Sequence, residues 1–282
     1  MKKVNKNPKV QILLATYNGE KFLREQLDSI INQEYKSWEL LIHDDGSDDN
    51  TISILNEYKT NYPKKINLLV DKKIFSSASK NFFHLIKHRC RDANLYCLCD
   101  QDDIWHQSKL KLIIERFNLK EDKEPLLIHS DLSLIDANGK LLEKSHNKLI
   151  NNQKTLVSKN NSLYYNPIPG CAMSINAVLA DKISYNKFMV MHDWWILLSA
   201  IYENATVIYI RLPLVKYRQH SGNVLGYKKV NFLILVIRLF FKIPNYIKNV
   251  KKAYAQSINF YYQSGLVYFI RLVIYQVKMN LS

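Results

Sequence analysis

The sequence predicts an α/β fold, a mostly parallel central sheet flanked by helices, on three observations. Apolar runs of strand length alternate with amphipathic helical stretches through the first 131 residues, the signature of strand–helix–strand units. The first run, VQILLAT at 10–16, shows no polar alternation, which suits a strand buried on both faces. Polar motifs follow three of the strands, ATYNGE, HDDGSDD and DQDD, at the strand ends where open α/β sheets bind ligands.

The elements follow in order. After the strand at 10–16, residues 19–33 carry Leu23, Leu27, Ile30 and Ile31 at helical spacing. WELLIHD at 38–44 is the second strand, and 49–62 a helix with Ile52, Leu55 and Tyr62 on one face. INLLV at 66–70, a helix at 79–89 marked by Phe82, Leu85 and Ile86, and LYCLC at 95–99 continue the alternation. A helix at 108–118 with Leu110, Ile114 and Phe117 leads into LLIHSD at 126–131. Right-handed crossovers between such units make the sheet parallel. From 132 to 220 the pattern loosens: Asn138-Gly139 marks a turn, NPIPGCAM at 166–173 a loop entering a strand, 177–187 and 193–202 helices, VIYI and PLVKYR short strands.

Composition bounds the class. With 47% hydrophobic residues, 23% charged and seven each of Gly and Pro, the chain can bury a large core, and only MKKVNKNP at the start suggests disorder. The apolar run VQILLA is too short for a signal peptide and no small-residue cleavage site follows it, so a cytoplasmic location is expected. Cys90, Cys97, Cys99 and Cys171 are expected as reduced thiols, since CxC spacing is not the redox or zinc CxxC pattern. The net charge of +15 is uneven: no Asp or Glu follows Glu203, while twelve Lys and Arg do. We therefore divide the chain into a body, 1–226, and a basic helical extension, 227–282. In NFLILVIRLFFK the residues Asn231, Leu235, Arg238 and Lys242 form a narrow polar stripe on an apolar helix; Arg271, Tyr275 and Lys278 repeat it in GLVYFIRLVIYQVK. Neither run reaches the ~18 uninterrupted apolar residues of a spanning helix. The arrangement suits helices lying on an anionic membrane surface, or packed on the body or a second subunit. Nucleic acid is not expected as a partner, for the tail lacks Gly-Arg richness.

Two segments carry the chemistry. DQDDIW, Asp100 to Trp105, crowds three carboxylates at one strand end, which costs stability unless a cation lies among them. MHDWW, Met191 to Trp195, sets a lone carboxylate, Asp193, beside two tryptophans. A nucleotidyltransferase would want a glycine-rich loop after the first strand, and the seven glycines form no such run.

The succession ATYNGEKFL, LLIHDDGSDD, DQDDIW, HDWW and YRQHSGN, over roughly Val10 to Gly226, resembles bacterial family 2 glycosyltransferases, in particular the rhamnosyltransferase-like branch. The resemblance implies a GT-A nucleotide-diphospho-sugar fold, and inverting transfer of a sugar from a dTDP- or UDP-linked donor to a saccharide acceptor, assisted by Mg²⁺ or Mn²⁺. A lipid-linked acceptor would fit an enzyme held peripherally on the inner face of the cell membrane, making surface polysaccharide or lipopolysaccharide. It implies that Tyr17 stacks on the pyrimidine, that backbone near Ala15 meets the base edge, and that Glu20 supports this loop. Asp45 would accept the ring N–H, unless it belongs to a solvated Asp-Gly turn, and Asp44 would shape that turn with Gly46. Asp102 would bind the cation directly and Asp100 the ribose or a bridging water. Asp103 would face the acceptor or hold the loop. His220 would complete the metal shell, an imidazole suiting Mn²⁺ better than Mg²⁺, or be incidental. Arg218 could meet the pyrophosphate, and Lys80 and Asn81 could line the nucleotide pocket. Asp193 would be the general base, a helix N-cap, or both. Trp194 and Trp195 would form an acceptor platform, with one of them in the core.

Overall fold

The computed structural model describes residues 7–71, 73–120, 123–149, 157–220, 251–261, 265, 267–268 and 271–272. Its first elements are β1 (Val10–Thr16), α1 (Leu23–Ile31), β2 (Trp38–Asp44), α2 (Thr51–Asn61), β3 (Ile66–Leu68), α3 (Ala78–Lys87) and β4 (Leu95–Cys99). Then come β5 (Ile104–Trp105), α4 (Lys109–Phe117), β6 (Leu126–Ile135), β7 (Leu141–Glu143), α5 (His146–Leu149), β8 (Met173–Asn176), α6 (Ala177–Lys182), α7 (His192–Tyr202) and β9 (Thr206–Arg218). Most helix ends fall one to five residues inside the predicted stretches, while α3 and α7 begin one residue earlier than predicted. Ser77 caps α3 by accepting the Lys80 N–H, which sets that early start.

Among the described residues the strands form one sheet in the order β3-β2-β1-β4-β8-β6-β9-β5, with β7 on β6. β1 is parallel to β2 and β4, β2 to β3, and β6 to β9. β8 runs antiparallel between β4 and β6. That reversal matters for the site, since the start of β8 lies beside the end of β4. The two short strands read in VIYI and PLVKYR are one long strand, β9. Its pairing with β6 shifts between Ser130 and Leu132, around Pro213. Proline lacks the N–H that an unbroken ladder needs, so the strand bulges there and continues.

Side chains alternate across the sheet as the pleat requires. Ile12, Leu14, Leu40, Cys97 and Cys99 face α1, α2 and α4 through Leu27, Ile54 and Ile114. Leu13, Tyr96, Leu98 and Ile175 face α3, α6 and α7 through Phe82, Leu179 and Leu197. Both faces are thus covered, which explains the unbroken apolar strands.

The predicted stripe at 231–242 lies outside the described residues, as do Tyr275 and Lys278. What is described of the extension packs on the body. Tyr268 and Leu272 are buried with Leu163, Tyr164 and Leu198, and the Phe260 ring lies 4.7 Å from that of Trp195. The Gln256 side-chain oxygen accepts the Val190 N–H at 2.8 Å.

Candidate active site

Five chain segments converge at one rim of the sheet. The loops after β1, β2 and β4 arrive by parallel strand direction. The 3-10 turn Gly170–Ala172 arrives by the reversal of β8, and the end of β9 closes the group.

The loop after β1 carries Tyr17, whose ring is 55% exposed. Gln101 clamps it from the acidic loop: its amide oxygen accepts the Tyr17 N–H and its amide nitrogen donates to the Tyr17 carbonyl, both at 2.8 Å. A Cβ on Gly19 would stand 2.4 Å from that amide oxygen, so Gly19 makes room for the clamp. Asn18, between them, adopts φ 45°, a conformation asparagine tolerates. Glu20 accepts hydrogen bonds from the Asn50 backbone and side chain at 3.0 and 2.7 Å, tying this loop to the start of α2. Ala15 is half-buried within β1.

After β2, Asp44 accepts the Gly46 and Ser47 N–H groups, at 3.1 and 2.8 Å, and the Ser47 and Thr16 hydroxyls, at 2.6 and 2.8 Å. This is the turn-shaping arrangement, with Gly46 at φ 88°. Asp45 donates its N–H to Thr16 O at 2.9 Å, and its carboxylate is buried. One oxygen accepts the Phe75 N–H at 2.5 Å and the other the Ser77 N–H at 3.0 Å. Its carboxylate therefore anchors the 71–77 loop. Asn81 is buried against His43, and Lys80 is exposed.

The acidic loop, Asp100 to Asp103, divides its carboxylates by environment. Asp102 Oδ2 lies 2.7 Å from His220 Nε2, with both side chains about one-sixth exposed, at 16% and 17%. Burial first, then the Asp102 and Asp193 charges, push the Asp100 carboxyl above its usual range. Asp103 is fully buried and accepts the Arg218 N–H at 3.0 Å. It holds the loop and does not face an open acceptor space. Beneath lies Lys109, also fully buried, donating to Cys171 O at 2.7 Å over the Trp105 ring. Burial holds its ammonium below the usual range, against the nearby thiols and Asp103. Cys90, Cys97, Cys99 and Cys171 are free thiols, and the last three are buried.

Arg218 does not point to a pyrophosphate. Its guanidinium is buried over the Phe22 ring and donates to Asp102 O at 2.9 Å, Ala137 O at 3.2 Å and Glu25 at 2.8 Å. It staples the acidic loop to the strand that delivers His220.

Asp193 sits in the first turn of α7, one residue inside the helix rather than at its cap, which is Met191. It is 7% exposed. Its Oδ1 accepts the Trp194 N–H at 2.7 Å, and the Gly170 backbone and Asn166 side chain also bond it. Burial outweighs these bonds and pushes its carboxyl up to about 6. Asp193 adjoins the turn bearing Cys171, which in turn lies beside Asp100 and Asp103: their ligand atoms fall within 4.8 Å of one another. Gly170 has a reason to lack a side chain, for its Cβ would stand 2.7 Å from the His192 ring and 3.4 Å from Asp193 Cβ. Trp195 is a core residue, 5% exposed. Trp194 is half-buried and donates to Ser162 O at 2.6 Å. Of the two tryptophans expected to form an acceptor platform, only Trp194 has a face to offer.

Gln101, Lys109 and Arg218 as a staple escaped the sequence reading. Their partners lie 62 to 193 residues away, so no local spacing signals them.

A mostly parallel, two-face-covered sheet with an acidic loop at the carboxyl end of β4 is the architecture of a glycosyltransferase of the GT-A fold. The chain belongs to glycosyl transferase family 2, whose profile matches residues 11–173. It is 31% identical over 224 residues to "dTDP-rhamnosyl transferase RfbG" of Shigella flexneri, covering 76% of this chain and 73% of that one. Identity is 23% over 220 residues to "UDP-Glc:alpha-D-GlcNAc-diphosphoundecaprenol beta-1,3-glucosyltransferase WfgD" of Escherichia coli, covering 76% and 79%. Among solved structures, S. aureus TarS 1-349 in complex with UDP-GlcNAc superposes with a TM-score of 0.62 at 14% identity, over 95% of this chain and 71% of that one. The mannosyltransferase PcManGT from Pyrobaculum calidifontis, in complex with GDP-Man and Mn²⁺, superposes with a TM-score of 0.59 at 14% identity, over 99% and 88%. No helix among the described residues is long and apolar enough to cross a membrane.

Proposed function

We propose that this glycosyltransferase inverts the anomeric centre as it moves a hexose, rhamnose in the first instance, from a dTDP- or UDP-linked donor to a saccharide carried on a lipid. The observation that carries the reading is the separation of roles at the rim: Asp102 and His220 are paired at the end of β4, while Asp193 stands apart on α7 with a raised carboxyl pKa. Two relatives, named for a dTDP-rhamnosyl and a UDP-glucosyl activity, frame the choice of donor.

The residues fit a divalent cation. The Asp102 and Asp193 charges that help push the Asp100 carboxyl up would be offset by a positive charge placed near it. Asp102 and His220 would hold it, and when bound it neutralises the diphosphate that leaves. An oxygen and an imidazole nitrogen favour Mn²⁺ over Mg²⁺. Tyr17, held at both backbone groups by Gln101, presents its exposed ring to the pyrimidine. Asp193 receives the proton of the acceptor hydroxyl as that oxygen attacks the anomeric carbon. A carboxyl near 6 is basic enough to take it and still ionised at neutral pH.

Membrane attachment is supported by the extension. Lys251, Lys252 and Arg271 are exposed together with Ile258, Tyr261 and Val267, a mixture of cations and apolar groups that suits an anionic lipid interface at the inner face of the membrane. Synthesis of a surface polysaccharide or lipopolysaccharide would follow from such a location. The test is a panel of nucleotide sugars with a lipid-diphosphate-linked acceptor, scored for metal-dependent release of dTDP or UDP. Release from dTDP-rhamnose above the other donors is expected; release from none of the panel overturns the reading.

A further inference from the structure

Behind the nucleotide side of the rim, apart from the acidic loop, lies a second group of metal-ligating side chains: His43 at the end of β2, Asp71 after β3 and His84 on α3. His43 Nε2 is 3.2 Å from Asp71 Oδ1, and His84 Nε2 is 2.5 Å from Asp71 Oδ2. The two histidines are 1% and 6% exposed. Asp71 closes the group from a partly exposed position, with side-chain accessibility of 26%.

Asn81 decides what His43 can offer. Its amide nitrogen donates to the His43 carbonyl at 3.2 Å, which turns its amide oxygen toward His43 Nδ1 at 2.8 Å. An oxygen there accepts, so the proton of a neutral His43 ring sits on Nδ1. Nε2 is then a lone pair, and it faces a carboxylate oxygen. Two acceptors do not stay in contact inside a protein unless a positive charge, a proton or a metal ion, lies between them. The arrangement is that of a metal-binding histidine, with one ring nitrogen facing the ligand group and the other held by a carbonyl-type oxygen. Other side chains enclose the group. Lys73 covers the outer side of Asp71, its N–H on Oδ1 at 3.1 Å and its ammonium 4.0 Å from Oδ2. Phe75 lies over both imidazoles, and His88 packs on His84 while its own Nδ1 is bound to His84 O.

We infer that His43, Asp71 and His84 form a binding site for a borderline divalent ion of the Zn²⁺ class, distinct from the Mg²⁺ or Mn²⁺ site at Asp102. Two imidazole nitrogens and one carboxylate oxygen match zinc, with the fourth position left to water on the exposed side of Asp71. Mg²⁺, which prefers oxygen ligands, is a poor fit to two imidazoles. The ion would join β2, α3 and the 71–77 loop. That loop is the one whose Phe75 and Ser77 N–H groups hold the Asp45 carboxylate, so the ion would fix the wall on which Asp45 stands. Occupancy of the site does not depend on which sugar the enzyme moves.

The test uses the full chain, stripped with a chelator and reloaded with Zn²⁺ in excess Mg²⁺. We expect one zinc per chain to survive gel filtration, and Co²⁺ to give a tetrahedral visible spectrum that Zn²⁺ bleaches. His84→Gln and Asp71→Asn should each weaken zinc at least a hundredfold, and Asn81→Ala roughly ten- to a hundredfold, as outer-shell partners do; Asp102→Asn should leave it unchanged. Zinc absent from the wild-type chain, or held as tightly by a folded His84→Gln, overturns the site. Should the variants not fold, ring-nitrogen NMR on the wild type decides. One equivalent of Zn²⁺ must move the Nε2 signals of two histidines, and a spectrum that stays still refutes the inference.

Discussion

His220 Nε2 lies 2.7 Å from Asp102 Oδ2, across 118 residues of chain. The contact exists because Arg218, two residues before His220, is tied by its backbone to Asp103 and by its guanidinium to Asp102 O. The strand that ends in His220 is thereby fastened to the loop it serves.

If this pair holds the cation, its halves should differ in effect. Asp102→Asn should lower turnover by about 10²-fold or more, since it removes a charged ligand. His220→Ala should retain activity but need at least tenfold more Mn²⁺, and should lose the preference for Mn²⁺ over Mg²⁺. Metal titrations of nucleotide release check both; an unchanged requirement in His220→Ala removes that residue from the shell.

Asp193 should set the acid limb of the pH profile. Its carboxyl titrates near 6, and only the ionised form accepts a proton. Log kcat should therefore rise with a slope of about one below that point and level off above it. Asp193→Asn should abolish this limb with turnover, while donor affinity stays within a few-fold of wild type by calorimetry.

The same variant should be more stable than the wild type. A carboxyl whose pKa is 3.8 in the unfolded chain and about 6 when folded favours folding most when protonated. That advantage fades as pH rises from about 4 to 6. At neutral pH the buried charge costs on the order of 3 kcal/mol. Asn carries no such charge, so denaturant midpoints should favour Asp193→Asn above pH 6 and converge with wild type below pH 4.

Gly19→Ala should act through Gln101. A methyl group cannot share space with the amide oxygen 2.4 Å away, so Gln101 must swing off and both bonds to Tyr17 are lost. Each is worth about 1 kcal/mol. A rise of roughly tenfold in donor KM with kcat nearly preserved is expected, and Gln101→Ala should match it in steady-state kinetics.

Arg218→Lys should destabilise by about 3 kcal/mol, because an ammonium cannot reach Asp102 O, Ala137 O and Glu25 together. Chemical denaturation measures this directly.

Much of this was legible before any coordinates. Strands β1, β2 and β4 match the predicted ranges residue for residue, because strands covered on both faces are unbroken apolar runs. The turn role of Asp44 with Gly46 and the placement of Trp195 or its neighbour in the core were also readable from local pattern. Three things were not. The two-residue strand β5 is too short to have a period. The reversal of β8 is a property of the whole sheet, which no segment announces. The choice between the two roles offered for Asp103, facing the acceptor or holding the loop, depends on its contact with Arg218, a partner 115 residues away.

The acidic loop is stitched into the sheet at both ends. β4 precedes it and lies between β1 and β8, while β5 follows it and pairs with β9 at Ile104 and Trp105. Such an anvil cannot shift to suit a bulkier or smaller sugar. Any retuning of the site in this scaffold has more freedom outside residues 100–105 than within them.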